Sequence, residues 1–142
     1  MFLGRFSHSL DDKGRVAVPA RFRDLIGTDA VITRGIDRCL SLYPMSAWNP
    51  LAERVSRLSI SDPDARAFRR MVFAEAANVE FDRQGRIRIP PDLRQYAGLE
   101  GEVLVVGMHT YVELWSPTSW ASQSEMMEQE GSSIAQRLAS LI

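Results

Sequence analysis

Two stretches of the chain alternate polar and apolar residues with a period of two, and the same order of elements surrounds both. Arg15-Val-Ala-Val and Arg86-Ile-Arg-Ile place apolar side chains at every second position, which predicts short strands with one buried face. In the first unit, the surrounding elements are predicted to be a strand at 6–10, a helix at 20–26, and strands at 30–33 and 39–43. In the second unit, they are predicted to be a strand at 78–81, a helix at 91–97, and strands at 103–106 and 111–115. Each unit is therefore predicted to be strand–turn–strand–helix–strand–turn–strand.

An Asp-x-x-Gly sequence joins the first two strands of each unit. Asp11 and Gly14 form it in the first unit, and Asp82 and Gly85 form it in the second. An aspartate opens a turn by accepting backbone hydrogen bonds, and a glycine supplies the positive φ that a tight turn needs. We predict that these four residues form two equivalent turns.

The two units are copies of one sequence. Residues 11–19 align with 82–90 at a spacing of 71, and after one inserted residue the match continues at a spacing of 72, which pairs Gly35 with Gly107. A unit of about 45 residues is marginal for an independent core. We therefore expect an α+β fold, mainly β, in which the copies form a pseudo-two-fold pair that buries both apolar faces together.

Helices are predicted to flank the two copies. The connection contains one helix at about 50–58 and a second that Asp62 caps and that extends through Ala77. The tail is predicted to hold helices at 118–130 and 133–141, which Gly131 separates. The predicted division of the chain is a first module at 5–50, a helical connection at 51–75, a second module at 76–121 and a helical tail at 122–142.

Composition narrows the class of protein. The 142 residues carry a formal net charge of −1, which argues mildly against nucleic-acid binding, although residues 1–44 contain seven Lys or Arg against five Asp. Sixteen of the seventeen basic residues are arginine. A codon bias would explain this preference without any role in binding. No apolar run is long enough for a membrane span, and the first residues lack the apolar core of a signal peptide. The single cysteine fits a reducing cytosol.

No combination of residues predicts catalysis. His8 and His109 do not occupy corresponding positions of the repeat, and no Cys-x-x-Cys, His-Glu-x-x-His or glycine-rich phosphate loop is present. The turn interpretation accounts for Asp11 and Asp82 without a catalytic role. We therefore predict a protein that is not an enzyme, with no metal, no cofactor and no small-molecule substrate.

The arginines of the alternating strands suggest a binding surface. Because successive side chains of a strand point to opposite faces, Arg15 lies on the face opposite to the apolar residues, and Arg86 and Arg88 share the outer face of the second copy. Lys13 lies at the tip of the first turn. Pseudo-symmetry would bring these side chains together, where guanidinium groups can bind phosphate or guanine. In the alternative interpretation, Arg15 and Arg86 only form ion pairs within their own turns. Local chemistry favours neither interpretation over the other.

The paired motifs resemble those of a known family. Tandem D-x-K-G-R-h-x-h-P and D-x-x-G-R-h-x-h-P (h, apolar), with the opening Met1-Phe-Leu-Gly and the closing Val112-Glu-Leu-Trp115, closely resemble the bacterial MraZ family from residue 1 to about residue 120. The resemblance implies two SpoVT/AbrB-type modules in a swapped-hairpin barrel. The DNA-contacting residues of the family's motifs correspond to Lys13, Arg15 and Arg86. Gln84 departs from the pattern, because it stands where Lys13 does in the first copy.

The resemblance also implies a biological role. Members of the family would be cytoplasmic, nucleoid-associated regulators that bind double-stranded DNA at repeated promoter boxes and repress their own operon in the division and cell-wall gene cluster. It further implies a homo-oligomer in the form of a ring. Two other hypotheses remain: an antitoxin-like module whose main ligand is a protein, and an enzyme or small-molecule binder on a barrel scaffold.

Overall fold

The computed structural model describes residues 1–142 as an α+β fold with eight strands, five α-helices and a terminal 3-10 turn. The strands are β1 (Arg5–Ser9), β2 (Arg15–Ala17), β3 (Asp29–Arg34), β4 (Leu40–Pro44), β5 (Ala77–Glu80), β6 (Arg86–Arg88), β7 (Glu102–Gly107) and β8 (Val112–Trp115). The helices are α1 (Ala20–Ile26), α2 (Met45–Ser56), α3 (Pro63–Phe73), α4 (Pro91–Ala97) and α5 (Pro117–Leu138), followed by the turn at Ala139–Leu141.

The strands form one large sheet and one two-stranded ribbon, and both are shared between the copies. The large antiparallel sheet has the order β1-β7-β8-β4-β3-β5, and β2 pairs with β6 to form the ribbon. The first strand of each copy pairs with the third strand of the other copy, and Ser41 of β4 lies opposite Glu113 of β8 at the centre. This exchange of strands confirms the predicted two-module fold with pseudo-two-fold symmetry.

The sheet register corrects one detail of the sequence alignment. Ile32 pairs with Leu42 in the first copy, and Val105 pairs with Leu114 in the second. Since Leu42 and Leu114 are equivalent at a spacing of 72, Ile32 corresponds to Val105 at a spacing of 73. Gly107 is therefore the last residue of β7 and not the counterpart of Gly35, because the following loop is one residue shorter in the second copy.

The main core lies between the ribbon, the short helices α1 and α4, and the inner face of the large sheet. Val16 and Ile87 enter it from the ribbon, and Phe22 enters it from α1. The ring of Phe22 meets those of Phe2 and Phe6 edge-on, with centroids 5.3 and 5.4 Å apart. The alternating residues of β2 and β6 thus bury the face that period two predicted, which leaves the arginine face outside.

The outer face of the large sheet is covered by the longer helices. α2 and α3 pack on β3 and β4, where the Thr33 hydroxyl donates to the Val72 carbonyl oxygen at 2.9 Å. On the other half of the sheet, Trp120 of α5 meets Trp115 with ring centroids 5.6 Å apart. Helix α3 has no counterpart after the second copy, so the covering of the sheet is asymmetric.

The helices between the copies differ from the predicted ones at their ends. α2 begins at Met45, immediately after β4, so that Pro50 lies inside the helix and not at its start. The Asp62 side chain caps α3 as predicted, by accepting from the backbone N–H of Asp64 at 2.9 Å. α3 ends at Phe73, because Ala77 is already part of β5. Packing against the sheet thus decides these ends.

The predicted break in the tail is wrong. α5 is a single helix of 22 residues that continues through Gly131. A glycine inside a helix costs only about 1 kcal/mol relative to alanine, which is too little to end a helix that has favourable residues on both sides. Neither α5 nor any other helix is long and apolar enough to cross a membrane.

Candidate nucleic-acid interface

The ribbon brings the arginines of both copies onto one face. Arg15 lies opposite Arg88, Val16 opposite Ile87, and Ala17 opposite Arg86. Val16 and Ile87 are buried, so residues one position away from them face outwards. The pseudo-two-fold axis passes through the central pair, which relates Arg15 to Arg86. Three guanidinium groups therefore share the outer face of a ribbon that contains only six residues.

Two equivalent turns support the ends of this ribbon. Asp11 Oδ1 accepts from the backbone N–H groups of Lys13 and Arg15 at 3.0 and 2.8 Å. Asp82 Oδ1 accepts in the same way, at 2.9 Å each, from the second copy's backbone. Gly14 and Gly85 adopt φ of +78° and +76°, which a side chain would strain. The turn tips, with Lys13 on one of them, are exposed.

The second oxygen of each aspartate holds an arginine. Asp11 Oδ2 lies 2.7 Å from Arg15 Nε, and Asp82 Oδ2 lies 2.9 Å from Arg86 Nε. Arg86 Nη1 also lies 3.5 Å from Asp11 Oδ2, which links the two copies. The terminal nitrogens of Arg15 make no hydrogen bond within the chain, and about a third of its side chain is exposed (31%). The ion pairs therefore orient Arg15 without occupying its outer edge.

The turns also keep both aspartates ionised. The backbone N–H of Arg15 lowers the pKa of Asp11 to about 2, helped by the Arg15 side chain and the Lys13 N–H and opposed by partial desolvation. The pKa of Asp82 is lowered in the same way, first by the backbone N–H of Arg86. At neutral pH each arginine is consequently held by a full negative charge.

Two further arginines contact the turns, and their role was not predicted from sequence. The guanidinium of Arg94 lies over Gly14, and that of Arg23 lies over Gly85, so that each arginine covers the turn of the other copy. Arg23 Nε donates to the Val18 carbonyl oxygen at 3.1 Å. Arg94 Nε is buried without a partner. The available signal was that these arginines match at the repeat spacing of 71, but their contacts cross between copies.

One end of the ribbon forms an open basic concavity of about 480 Å³. It is lined only by polar residues, namely Asp12, Lys13, Arg15, Arg88 and Arg94. The equivalent positions at the other end are Arg83, Gln84, Arg86, Ala17 and Arg23. The first end thus combines four cationic side chains and the carboxylate of Asp12 around one hollow. The second end has three arginines, because Gln84 and Ala17 replace two of the cations and Arg83 replaces the carboxylate.

Comparison with known proteins places this arrangement in a family. A family model described as "MraZ protein, putative antitoxin-like" matches the chain twice, at residues 1–71 and 72–141. The chain belongs to the MraZ family. The boundary between the two matches falls inside α3, so the MraZ repeat includes helical segments as well as strands. The narrower module boundaries drawn from the sequence stay a prediction.

Relatives within the MraZ family match over their whole length. A protein of Thermomicrobium roseum is 71% identical over 142 residues, which is all of both chains. Proteins of Roseiflexus castenholzii and Acetivibrio thermocellus are 46% and 45% identical over 141 residues, which is 99% of each chain. All three carry the name "Transcriptional regulator MraZ".

Proposed function

We propose that this protein is a transcriptional regulator that binds double-stranded DNA in a sequence-specific manner through the β2–β6 ribbon. The observation that carries the proposal is the pairing of Arg15 with Arg88 and of Ala17 with Arg86, which gathers three arginines on one outer face. Lys13 extends that face at the turn tip. The name of the relatives supports the regulatory role, and no catalytic role is part of the proposal.

The ribbon suits the major groove of DNA. A two-stranded antiparallel ribbon is one of the elements that the groove admits, and arginine forks match guanine or phosphate oxygens. Asp11 holds Arg15 through Nε, which leaves both terminal nitrogens without a hydrogen bond within the chain and available for DNA. Because the aspartate fixes the side chain in advance, DNA binding loses less side-chain entropy.

The two ends of the ribbon would contribute unequally. The concavity around Lys13, Arg15, Arg88 and Arg94 offers a phosphate group four cations at once. The other end presents Gln84 at its tip and keeps Arg86 between two carboxylates. The end of the ribbon at Lys13, to which the second copy adds Arg88 and Arg94, therefore makes the stronger contact.

A homo-oligomer, in the form of a ring, would multiply this single weak site. The whole chain has a net charge of −1, so a strong general attraction to DNA is not expected from one subunit. Several ribbons on one ring would bind repeated promoter boxes with high avidity if the spacing of the boxes matches. We propose that the target is the promoter of the protein's own operon, in the division and cell-wall gene cluster, and that binding represses this operon. We also propose that the protein is cytoplasmic and nucleoid-associated.

The test is binding to the DNA upstream of the protein's own gene, measured by gel shift and footprinting alongside light scattering. We expect protected repeats, and an affinity that falls steeply with salt because several phosphates are neutralised. Arg15→Ala should weaken binding by about tenfold or more. Arg57→Ala is the matched control, since Arg57 is exposed, follows the end of α2 and forms an ion pair only with Glu53 of that helix. Unchanged binding by Arg15→Ala would contradict the assigned interface.

The words "antitoxin-like" in the family description favour one second candidate, a module that binds a small protein. In that case, a stoichiometric partner would copurify with the chain, and Arg15→Ala would leave the complex intact.

A further inference from the structure

A second cavity, of about 260 Å³, lies on the outer face of the large sheet at the pseudo-two-fold axis. Its floor is a row of side chains on three neighbouring strands, Thr33, Ser41 and Glu113, which the sheet register places side by side. Helices α2 and α3 supply apolar residues to its wall, among them Leu51 and Met71. The cavity is distant in the fold from the arginine face of the ribbon, because the main core lies between them.

Asp37 and Glu113 both contribute carboxylates to the lining of this cavity, and Glu113 is the one that belongs to the sheet. Trp115 Nε1 donates to Glu113 Oε1 at 3.0 Å, and the Cys39 thiol approaches Glu113 Oε2 at 3.7 Å. Both donors are neutral, and no arginine or lysine lies within ion-pair distance of Glu113. Arg34 also lines the cavity, but its guanidinium lies over the ring of Tyr96, 4.2 Å from the centroid. Glu113 is therefore a half-buried carboxylate that makes no ion pair.

Two tyrosines stand beside this carboxylate. The rings of Tyr43 and Tyr111 are stacked, with centroids 4.9 Å apart and an interplanar angle of 26°. Burial, with a smaller contribution from the Glu113 charge, raises the pKa of Tyr111 to about 12, so its hydroxyl stays neutral. An aromatic ring face next to a carboxylate is a typical environment for an ammonium or guanidinium group.

The repeat shows that the fold itself does not require this charge. Ser41 occupies the position of Glu113 in the first copy, and Cys39 occupies that of Tyr111. A partly buried carboxylate without a cation lowers stability. Because the equivalent half of the sheet has Ser41 and no carboxylate at this position, we interpret Glu113 as a ligand-binding residue and not as a structural one.

We propose that this cavity binds a small organic cation whose ammonium or guanidinium head contacts Glu113 and the tyrosine pair. Its apolar body would lie against Leu51, Phe68 and Met71. The volume is just below the roughly 300 Å³ at which typical ligand pockets begin, so the ligand is small. The site would make the regulator responsive to a metabolite, and it does not depend on the DNA interface.

The test uses the indole N–H of Trp115, which donates to Glu113, as an NMR reporter in the full chain. Titration with 3-methylbutylammonium should shift this signal with saturation. The alcohol and the carboxylate of the same carbon skeleton, 3-methylbutan-1-ol and 3-methylbutanoate, should bind at least about tenfold more weakly, because they lack the cation. This comparison needs no variant, so it does not depend on whether a mutant folds.

Two variants complete the test. Glu113→Gln should weaken amine binding by about tenfold or more, whereas Glu80→Gln, at an exposed strand position outside the cavity, should leave it unchanged. Amine binding should persist in Arg15→Ala, which separates this proposal from that of the DNA interface. Equal binding of amine and alcohol, or full binding by Glu113→Gln, would overturn the proposal. So would a Trp115 signal that changes with protein concentration alone, since a side chain of another copy would then fill the cavity.

Discussion

The guanidinium of Arg94 lies directly over Gly14, although the two residues belong to different copies of the repeat. A methyl group on Gly14 would come within 2.6 Å of Arg94 Cζ, and the glycine has a φ of +78°. The same contact recurs between Arg23 and Gly85, at 2.5 Å. The glycine of each turn therefore has two functions: it permits the turn, and it leaves room for an arginine from the other copy.

Gly14→Ala should affect both functions. The positive φ alone costs more than about 1 kcal/mol of unfolding free energy, and the methyl group also displaces Arg94 from the basic concavity. Gly101→Ala is the control, because Gly101 has a φ of +73° but nothing within 4 Å of an added methyl group. Both variants should lose stability in urea denaturation, and only Gly14→Ala should lose DNA affinity. Equal DNA binding by the two variants would show that Arg94 has no part in the interface.

Arg15 and Arg86 should respond differently to truncation despite their symmetry. Arg86 contacts Asp82 and Asp11, whereas Arg15 contacts Asp11 alone. We expect Arg86→Ala to cost about 1 kcal/mol of stability and Arg15→Ala about half of that, since both pairs are partly exposed. DNA affinity should show the opposite order, which anisotropy titrations can measure at several salt concentrations. A larger affinity loss in Arg86→Ala would reverse the proposed roles of the two copies.

Acid should remove the contribution of Asp11. Its pKa is about 2 in the folded protein, below the ordinary 3.8, so ionised Asp11 stabilises the fold above about pH 4. That contribution is lost as the pH falls from 4 to 2. The stability difference between the wild type and Asp11→Asn should therefore be constant from pH 7 to 5 and shrink towards pH 2. Asp82→Asn should show a trend in the same direction in the same series of urea melts, because the pKa of Asp82 is also lowered. A difference for Asp11→Asn that stays constant down to pH 2 would contradict the lowered pKa of Asp11.

Much of the ribbon could be predicted from the sequence, because it depends on local rules. Period two separates Val16 and Ile87 from the arginines, and the Asp-x-x-Gly spacing fixes the turns. Because the two copies are expected to pair by pseudo-symmetry, the repeat also predicts that their arginine faces lie together. The ion pair between Arg86 and Asp11 and the position of Arg94 could not be predicted, since they depend on how the copies are placed against each other.

The outer side of the sheet was less predictable for a related reason. The start of α2 before Pro50 and the end of α3 at Phe73 follow from where these helices pack on the sheet, and local propensity is weak against such packing. The cavity at Glu113 exists only because strands of both copies and α3 meet there. The repeat spacing relates Ser41 to Glu113, but it does not show which helices pack over them.

The thiol of Cys39 should be almost unreactive in the folded protein. Burial and the nearby Glu113 carboxylate raise the pKa of this thiol to about 12, and only the thiolate reacts quickly with disulfide reagents. At pH 8 the reaction with a chromogenic disulfide should be slow in buffer and fast in guanidinium chloride. The Glu113→Gln variant should react faster than the wild type at pH 8 if it remains folded, because one cause of the raised pKa is gone. Rapid labelling of the native wild type would contradict the burial of Cys39.

Gly131 offers a test of the continuous helix α5. An added methyl group at this position meets nothing within 4 Å, and glycine costs about 1 kcal/mol relative to alanine inside a helix. Gly131→Ala should therefore increase the helical circular dichroism signal and slow amide exchange in residues 132–138 by roughly fivefold. Gly98→Ala provides the contrast, because Gly98 ends α4 with a φ of +64° and its replacement should destabilise the protein. A loss of helicity in Gly131→Ala would mean that the chain needs a break there, as the glycine alone had suggested.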